Sequence, residues 1–342
     1  MFEGHPLVST TTNMSKSNLE IFSETLQALA ETDKEITVVT SDSRGSGKLV
    51  AFGQKFPEQM VEIGIAEQNL VGVASGLASM GKKAFAVSPA CFLTARGLEQ
   101  IKNDVCYSDN PVKLIGISAG VSYGALGTTH HSLHDFAVLR AIHNITIVAP
   151  ADNYETEESI KIAATYTTPV YIRFGKKGMP ASLIKSEGVS SNGSSETTPI
   201  NTTPAFQFGK GRVLKVGEDL TFLATGEAVL PCMEAAEILQ EKYQIACKVI
   251  SIHTIKPLDD ALILASAANG KPIITVEEHS INGGLGEAVA ALLFQNGAHN
   301  PFKIMGLPDD HTVSGSQLEI FDHYGLSGEG LTKEALKILN AL

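Results

Sequence analysis

A carboxylate at the start of an apolar helix is the feature of this sequence best suited to chemistry. Glu67 lies in the run IAEQN (residues 65–69) and precedes an apolar, Gly/Ala-rich stretch with helical character, residues 70–78. Burial on such a helix raises the pKa of a carboxyl group, so that it can share a proton with a bound partner. The alternative is a local role, since the dipole of a helix favours a glutamate at its N-terminus.

Two further segments place ring side chains where an α/β protein binds its ligands. Phe92 follows an apolar strand-like run, and its ring could stack on a heterocycle, although an ordinary core phenylalanine has the same signature. Residues 120–131 form a Gly-rich loop that ends in His130 and His131. With His134 these histidines could suggest zinc, but no cysteine or further ligand follows at a usual spacing, and we predict no metal site.

The elements that must position these residues alternate between short apolar runs and longer amphipathic stretches, which is typical of βα units and a parallel sheet. We predict buried strands at residues 36–40, 83–87, 112–118, 145–148, 169–173, 220–224, 247–251 and 273–276. We predict helices at residues 19–30, 93–104, 152–165, 231–241 and 332–340. The predicted fold class is therefore α/β, with two doubly wound domains.

A shift in composition divides the chain. Residues 181–205 hold clusters of Ser, Thr, Asn and Gly with few apolar positions, as in a linker or a surface insertion. We predict a disordered tail at 1–18, a first domain at 19–180, a linker at 181–210 and a second domain at 211–342.

The bulk composition restricts the function. The chain has 342 residues and is 43% hydrophobic, which is enough for two full cores. Its net charge of −11 argues against binding to nucleic acid, which needs clustered Lys and Arg. No apolar run approaches the roughly 18 residues of a membrane span. Four cysteines without CxxC spacing predict reduced core thiols and a cytoplasmic protein.

Taken together and in this order, the segments resemble the C-terminal half of a transketolase, an enzyme that depends on thiamine diphosphate. The resemblance covers residues 19–342 apart from the 181–205 insertion. It is carried by residues 56–59 (FPEQ), 64–69 (GIAEQN), 92–101, 129–130, 139–140, 149–152 (APAD), 255–259 (IKPLD), 276–286, 313–315 and 324–326. The resemblance implies that the first domain is a pyrimidine-binding domain and the second a transketolase C-terminal domain.

The resemblance also implies roles for the three residues already singled out. Glu67 would activate the cofactor by hydrogen bonding to N1′ of its aminopyrimidine, and Phe92 would stack on that ring. His130 would hydrogen-bond the donor substrate or the intermediate formed from it.

Four more positions match site residues of the family. Asp42 and Ser46 correspond to a loop beside the active site, and we assign Asp42 to the cofactor and Ser46 to the substrate. Arg96, in the segment 92–101, is also assigned to the cofactor. Arg173 corresponds to an arginine that binds the phosphate of the substrate.

Ser118 and Leu126 mark departures in the part that binds substrate. The phosphosugar enzymes of the family have an Asp, which reads the C2 hydroxyl, where this chain has Leu126, and a phosphate-binding His where it has Ser118. Because each lost charge-assisted contact weakens binding by about 1.5–3 kcal/mol, we predict an acceptor other than a standard aldose phosphate.

A companion motif is missing, namely Gly-Asp-Gly followed by paired asparagines, which holds the diphosphate and its Mg²⁺. The resemblance implies a separate N-terminal subunit that supplies it, in an α2β2 heterotetramer that transfers a two-carbon ketol unit from a ketose-type donor to an aldehyde. Three alternatives stay open. They are the β subunit of a 2-oxo acid dehydrogenase, a fragment of a 1-deoxyxylulose-5-phosphate synthase, and a non-catalytic subunit that kept the fold.

Overall fold

A computed structural model describes residues 14–184 and 205–340 of the chain. Most of the predicted tail and most of the predicted linker lie outside these residues. Within them the chain forms two α/β domains, and no helix there is long and apolar enough to cross a membrane.

The first domain alternates strands and helices along the chain. Its strands are β1 (Met14–Ser17), β2 (Ile36–Thr40), β3 (Met60–Glu62), β4 (Lys83–Pro89), β5 (Lys113–Ile117), β6 (Thr146–Val148), β7 (Val170–Arg173) and β8 (Gly178–Pro180). Its α-helices are α1 (Asn18–Thr32), α2 (Val50–Lys55), α3 (Glu67–Ser79), α4 (Ala90–Arg96), α5 (Leu98–Gln100), α6 (Asp135–Arg140) and α7 (Asn153–Thr165). Short 3₁₀ turns cover Pro57–Gln59 and Gly124–Leu126, and a π-helix covers Ile101–Tyr107.

The second domain repeats this alternation. Its strands are β9 (Arg212–Lys215), β10 (Leu220–Ala224), β11 (Cys247–Ser251), β12 (Thr254–Lys256), β13 (Ile273–Ser280) and β14 (Phe302–Leu307). Its α-helices are α8 (Val229–Tyr243), α9 (Asp260–Ala267), α10 (Leu285–Gln295), α11 (Gln317–His323) and α12 (Gly328–Asn340). A 3₁₀ turn at Gly226–Ala228 joins β10 to α8.

The strand orders show how the two domains are joined. The larger sheet of the described chain has the order β12-β6-β7-β5-β4-β2-β3, and the smaller has the order β14-β13-β10-β11-β9. Both are parallel except at one edge, where β12 and β9 run antiparallel to their neighbours. Because β12 comes from the second half of the chain yet pairs with β6 in the first domain, backbone hydrogen bonds tie the domains together.

Alternating side chains of the buried strands separate two apolar layers in the first domain. In β4, Phe85 and Val87 pack with α1 and α7, whereas Ala84 and Ala86 pack with Leu70 and the rest of the buried face of α3. This two-sided burial explains the continuous apolar runs of the parallel strands and the helices on both faces. All four cysteines are free and buried.

The prediction of a tail over residues 1–18 is wrong for residues 14–18. Met14–Ser17 pairs antiparallel with β8, and Ser17 caps α1. The Ser17 side chain accepts the Glu20 N–H, while Glu20 accepts the Ser17 N–H, which forms a capping box. The Ser/Thr-rich composition of this stretch hid a helix start signal.

The predicted helix at 93–104 is interrupted. α4 ends at Arg96, and Gly97 separates it from α5 and the π-helix. A Cβ on Gly97 would lie 2.9 Å from the Leu93 carbonyl oxygen and 3.1 Å from Val71 Cγ2. Val71 belongs to α3, so the close approach of α3 to α4 leaves little room for a side chain at this point.

The last residues of the predicted linker belong to the folded structure. Phe206 and Phe208 are buried, and the Phe206 ring stacks on His253 with 4.2 Å between centroids. The Phe208 ring packs edge-on against Tyr166 at 5.3 Å. Residues 205–210 thus cover the first domain, and the polar composition upstream concealed these two aromatic anchors.

Candidate functional site

Glu67 begins α3 with its carboxylate buried and compensated. Its side chain is 2% exposed, and Oε2 accepts a hydrogen bond from Arg96 Nη1 at 3.0 Å. Arg96 belongs to the last turn of α4, and its side chain is 51% exposed. Because the N–H groups of the first turn of α3 have no partners within the helix, the helix end also favours a negative charge.

The rings of Phe92, His130 and Tyr123 lie close to this ion pair in the first domain. The Arg96 guanidinium lies 4.5 Å from the centroid of the Phe92 ring, and the His130 ring lies 5.3 Å from Phe92 in an edge-on arrangement. The centroid of the Tyr123 ring also lies 5.3 Å from that of His130. The structure therefore brings together three predicted site residues, Phe92, Arg96 and His130, and places Glu67 beside them.

The three neighbouring histidines have different partners. His130 Nδ1 lies 3.0 Å from the Thr129 hydroxyl, whereas buried His131 donates through Nε2 to the Gly124 carbonyl oxygen. His134 Nε2 lies 3.2 Å from the hydroxyl of Thr94 on α4. Burial lowers the pKa of His131, which favours the neutral form. His130 and His134 are both half-exposed, and of these two the His130 ring packs against Phe92.

A cavity of about 300 Å³ lies between α4 and the loop that carries His130. Its walls include Phe92, Ala95, Arg96, Thr129, His131 and Leu133. One wall is an aromatic ring, and the cationic head of Arg96 connects the cavity to the buried Glu67 carboxylate. This donor set fits a nitrogen heterocycle that stacks on Phe92 and shares a proton with a carboxylate.

Asp42 and Ser46 lie in the loop that follows β2, next to the β4 end of the sheet. Asp42 is exposed with a positive φ of 56°, and its N–H donates to Glu62 Oε1 at 2.7 Å. Ser46 is also exposed, and its hydroxyl donates to the Ser43 carbonyl oxygen. Both residues are at the carboxyl ends of the strands, where such folds bind ligands, and their roles stay predictions.

Ser118 and Leu126 occupy opposite environments. Ser118 is fully buried just after β5 and adopts a positive φ of 53°. Leu126 is 58% exposed in the 3₁₀ turn Gly124–Leu126. A large apolar side chain that points to solvent in this loop is available to a substrate or a partner, and the substrate roles of both residues stay predictions.

The Arg173 side chain is buried and hydrogen-bonded to other residues of the protein. Its Nη1 donates to Asp135 Oδ1 at 2.9 Å, its Nη2 donates to the Glu278 carbonyl oxygen at 2.8 Å, and its guanidinium stacks on Phe136 at 4.4 Å. Tyr171 also donates to Asp135, at 2.7 Å. A substrate phosphate at Arg173 would compete with the Asp135 carboxylate and the Glu278 carbonyl oxygen, so the geometry supports a structural role, and phosphate binding stays a prediction.

The sequence reasoning missed the carboxylates of the domain interface. Glu277 accepts the N–H groups of Leu285 and Gly286 at the start of α10, so this glycine turn already holds an internal anion. Burial raises the pKa of Glu277 to about 7, against the effect of those two N–H groups. Glu278 faces the first domain instead. The signal was the pair of consecutive glutamates at the end of an otherwise apolar strand.

Comparisons with known proteins agree with this architecture. Residues 15–181 match the family model described as "Transketolase, pyrimidine binding domain", and residues 209–331 match "Transketolase, C-terminal domain". The chain is 45% identical over 318 residues to an apulose-4-phosphate transketolase subunit of Phocaeicola vulgatus, a match that covers 93% of this chain and 96% of that protein. The chain belongs to the transketolase family.

Two further relatives of this transketolase-family chain are informative. It is 37% identical over 316 residues to a putative transketolase C-terminal section of Methanocaldococcus jannaschii, covering 92% of this chain and 94% of that protein. A solved structure described as a split-gene transketolase, an inactive tetramer of beta chains, superposes with a TM-score of 0.80. The two sequences are 32% identical, and the match covers 95% of this chain and 99% of the chain in that structure. Family membership implies thiamine diphosphate as the cofactor.

Proposed function

We propose that this chain is the C-terminal subunit of a two-component, thiamine-diphosphate-dependent enzyme that transfers a two-carbon ketol unit from a ketose-type donor to an aldehyde. The observation that supports it best is the buried Glu67 carboxylate paired with Arg96, whose guanidinium lies over the Phe92 ring in the wall of a cavity. The His130 ring packs against Phe92. This is the combination of groups that the pyrimidine half of the cofactor needs.

Each of these residues has a defined task in this proposal. Arg96 engages Oε2 of Glu67, so we assign Oε1 to the hydrogen bond with the pyrimidine nitrogen. Phe92 supplies the stacking surface, and His130 donates or accepts a hydrogen bond at the oxygens of the substrate. When bound, the cofactor would supply a nucleophilic carbon that adds to a carbonyl group. This chemistry allows one carbon–carbon bond to be broken and another to be formed.

We assign the diphosphate and Mg²⁺ to a separate N-terminal subunit in an α2β2 heterotetramer. Support comes from relatives of matching length, of which one is named as a subunit of its enzyme and another as a C-terminal section. The free, buried cysteines favour a cytoplasmic location for this assembly.

The substrate-binding positions favour an unusual sugar. Leu126 offers an apolar side chain where an Asp would read the C2 hydroxyl, and buried Ser118 offers no positive charge for phosphate. The relative at 45% identity is named for apulose 4-phosphate. We therefore choose apulose 4-phosphate as the first substrate to assay, with xylulose 5-phosphate plus ribose 5-phosphate as the comparison pair.

The test is to purify this chain gently from its native host and to identify what accompanies it. We expect a stoichiometric subunit of the size of a diphosphate-binding domain and about one thiamine diphosphate per pair of chains. Recovery of this chain alone, without cofactor even when thiamine diphosphate and Mg²⁺ are added, contradicts the proposal and favours a non-catalytic subunit.

The Glu67→Ala variant examines the same proposal at the residue. We expect normal assembly with the partner and a loss of at least about 100-fold in kcat, because the carboxyl group is needed for proton transfer. The exposed Glu58→Ala variant is the matched control and should retain wild-type turnover. Unchanged turnover in Glu67→Ala contradicts a catalytic role for this carboxylate.

A further inference from the structure

Strand β13 of the second domain is hydrogen-bonded to both ends of the loop that carries His130. The Val121 N–H donates to Glu278 Oε1 at 2.9 Å, and the Ser280 N–H donates to the Leu133 carbonyl oxygen at 3.1 Å. Both Glu278 and Ser280 lie in β13. The stretch between these two anchor points includes His130, so β13 limits where its ring can stand.

Two glycines of the first domain, which have no side chain, provide the space that two glutamates of the second domain occupy. Gly120 has a positive φ of 62°, and a side chain on it would overlap the Glu278 carboxyl group. A side chain on Gly175 would likewise overlap the carboxyl group of Glu227. The two glycines follow β5 and β7, at the same sheet edge as the candidate site. The glutamates therefore reach the backbone of the first domain.

A single amide orients this pair of glutamates. Gln317 Nε2 donates to Glu278 Oε1 and to Glu227 Oε2, both at 2.7 Å. All three side chains are buried. Gln317 begins α11, so a third element of the second domain fixes the direction in which Glu278 meets the loop.

Adhesion between the domains does not require this arrangement. Burying carboxylates is costly, and apolar side chains of similar volume hold two surfaces together at least as well. What Glu278 adds is a directed acceptor for one backbone N–H of the loop. The second domain touches the loop again at Gly124, where a Cβ would lie 2.8 Å from the Gly315 carbonyl oxygen.

We propose that Glu278, oriented by Gln317 and Glu227, is a positioning residue for His130. It acts by fixing the start of the 121–133 loop from the second domain. The importance of His130 for turnover rests on the proposed function, but the effect on the loop does not.

Hydrogen exchange measured by mass spectrometry on the full chain tests the proposal without catalysis. In Glu278→Ala we expect the amides of residues 121–130 to exchange roughly tenfold faster or more, because a buried hydrogen bond is lost. Glu278→Gln keeps an acceptor oxygen and should stay within about threefold of the wild type. Equal exchange in the wild type and Glu278→Ala overturns the proposal.

A neighbouring glutamate provides the matched control. Glu277 is equally buried on the same strand, but it accepts N–H groups of its own domain. Glu277→Gln should change exchange near residue 285 and leave residues 121–130 within about twofold. If Glu278→Ala does not fold, Glu278→Asp retains the charge but shortens its reach, and the same acceleration is expected. Equal acceleration of the loop by the Glu277 and Glu278 variants contradicts positioning.

Kinetics of the assembled enzyme separate positioning from plain stability. Glu278→Ala should lower kcat by about tenfold or more with a smaller change in KM, and Glu278→Gln should recover most of it. Faster loop exchange with unchanged kcat overturns the link between the loop and His130. Absence of turnover in the wild type refutes the proposed function and leaves the exchange result standing.

Discussion

At the residue scale, the candidate site depends on an ion pair with unequal partners. Glu67 is buried, whereas the Arg96 side chain is half-exposed and also covers the Phe92 ring. Removing the arginine leaves a buried carboxylate without its cation, whereas removing the carboxylate leaves an arginine that water can still reach. The two deletions should therefore have different costs.

We expect Arg96→Met to lower the free energy of unfolding by about 1–2 kcal/mol, less than for a fully buried pair because Arg96 is half-exposed. Adding Glu67→Gln to this variant should recover most of that loss. The measurement is urea denaturation at pH 7 of the wild type, both single variants and the double variant. Arg96→Lys, which keeps the charge, is the control, and strictly additive effects contradict coupling between the two side chains.

At the element scale, the approach of α3 to α4 determines where Glu67 and Arg96 meet. Gly97 allows this approach, since its missing side chain makes space for Val71 of α3. On the exposed side of α3, a Cβ added to Gly76 would have nothing within 4 Å. The same substitution should therefore have opposite effects at the two glycines.

Gly97→Ala should lower the free energy of unfolding by about 1–3 kcal/mol because the helices must move apart. Gly76→Ala should raise it by roughly 0.5–1 kcal/mol, since alanine loses less backbone entropy in a helix. Chemical denaturation of the isolated chain compares both with the wild type. A stabilising Gly97→Ala would show that α3 and α4 are not closely packed there.

At the scale of the whole molecule, buried ionisable groups collect where the domains meet. Burial, with Glu227 alongside, raises the pKa of Glu278 to about 7, and the charged groups nearest to it also include Arg173. Burial lowers the pKa of His279 to about 4, and the same cause lowers that of His253 to about 3. The docking of the domains is therefore linked to pH.

The sign of this linkage can be tested through Glu278. Its folded pKa lies above its unfolded value near 4.5, so the folded state holds the extra proton and this contribution to stability falls as pH rises from about 4.5 to 7. The free energy of unfolding of the wild type minus that of Glu278→Gln should fall over that window, by at most about 1.4 kcal/mol per pH unit, because the neutral amide does not titrate. Urea denaturation from pH 5 to 8 measures it, with exposed Glu58→Gln as the control. If the free energy of unfolding of the wild type rises with pH relative to that of Glu278→Gln, the raised pKa is contradicted.

The sequence by itself determined the α/β class and most strands, and it supplied the candidate site residues as predictions. Buried parallel strands are continuous apolar runs, and β2, β10 and β11 have the predicted bounds. The run around Glu67 could be recognised because a carboxylate before an apolar helix is a local pattern. The capping box of α1 is an equally local pattern, but the Ser/Thr-rich composition of residues 1–18 led to the prediction of a disordered tail instead.

Only the tertiary structure decided what depends on residues far apart in the chain. The partners of Arg173 are 38 and 105 residues away, and Glu278 meets Val121 across 157 residues. β12 is too short to stand out as a strand, and it exists because β6 offers it an edge. Periodicity and spacing report what a segment buries but not which distant segment covers it. The second domain's hold on the His130 loop was therefore visible only in the folded chain.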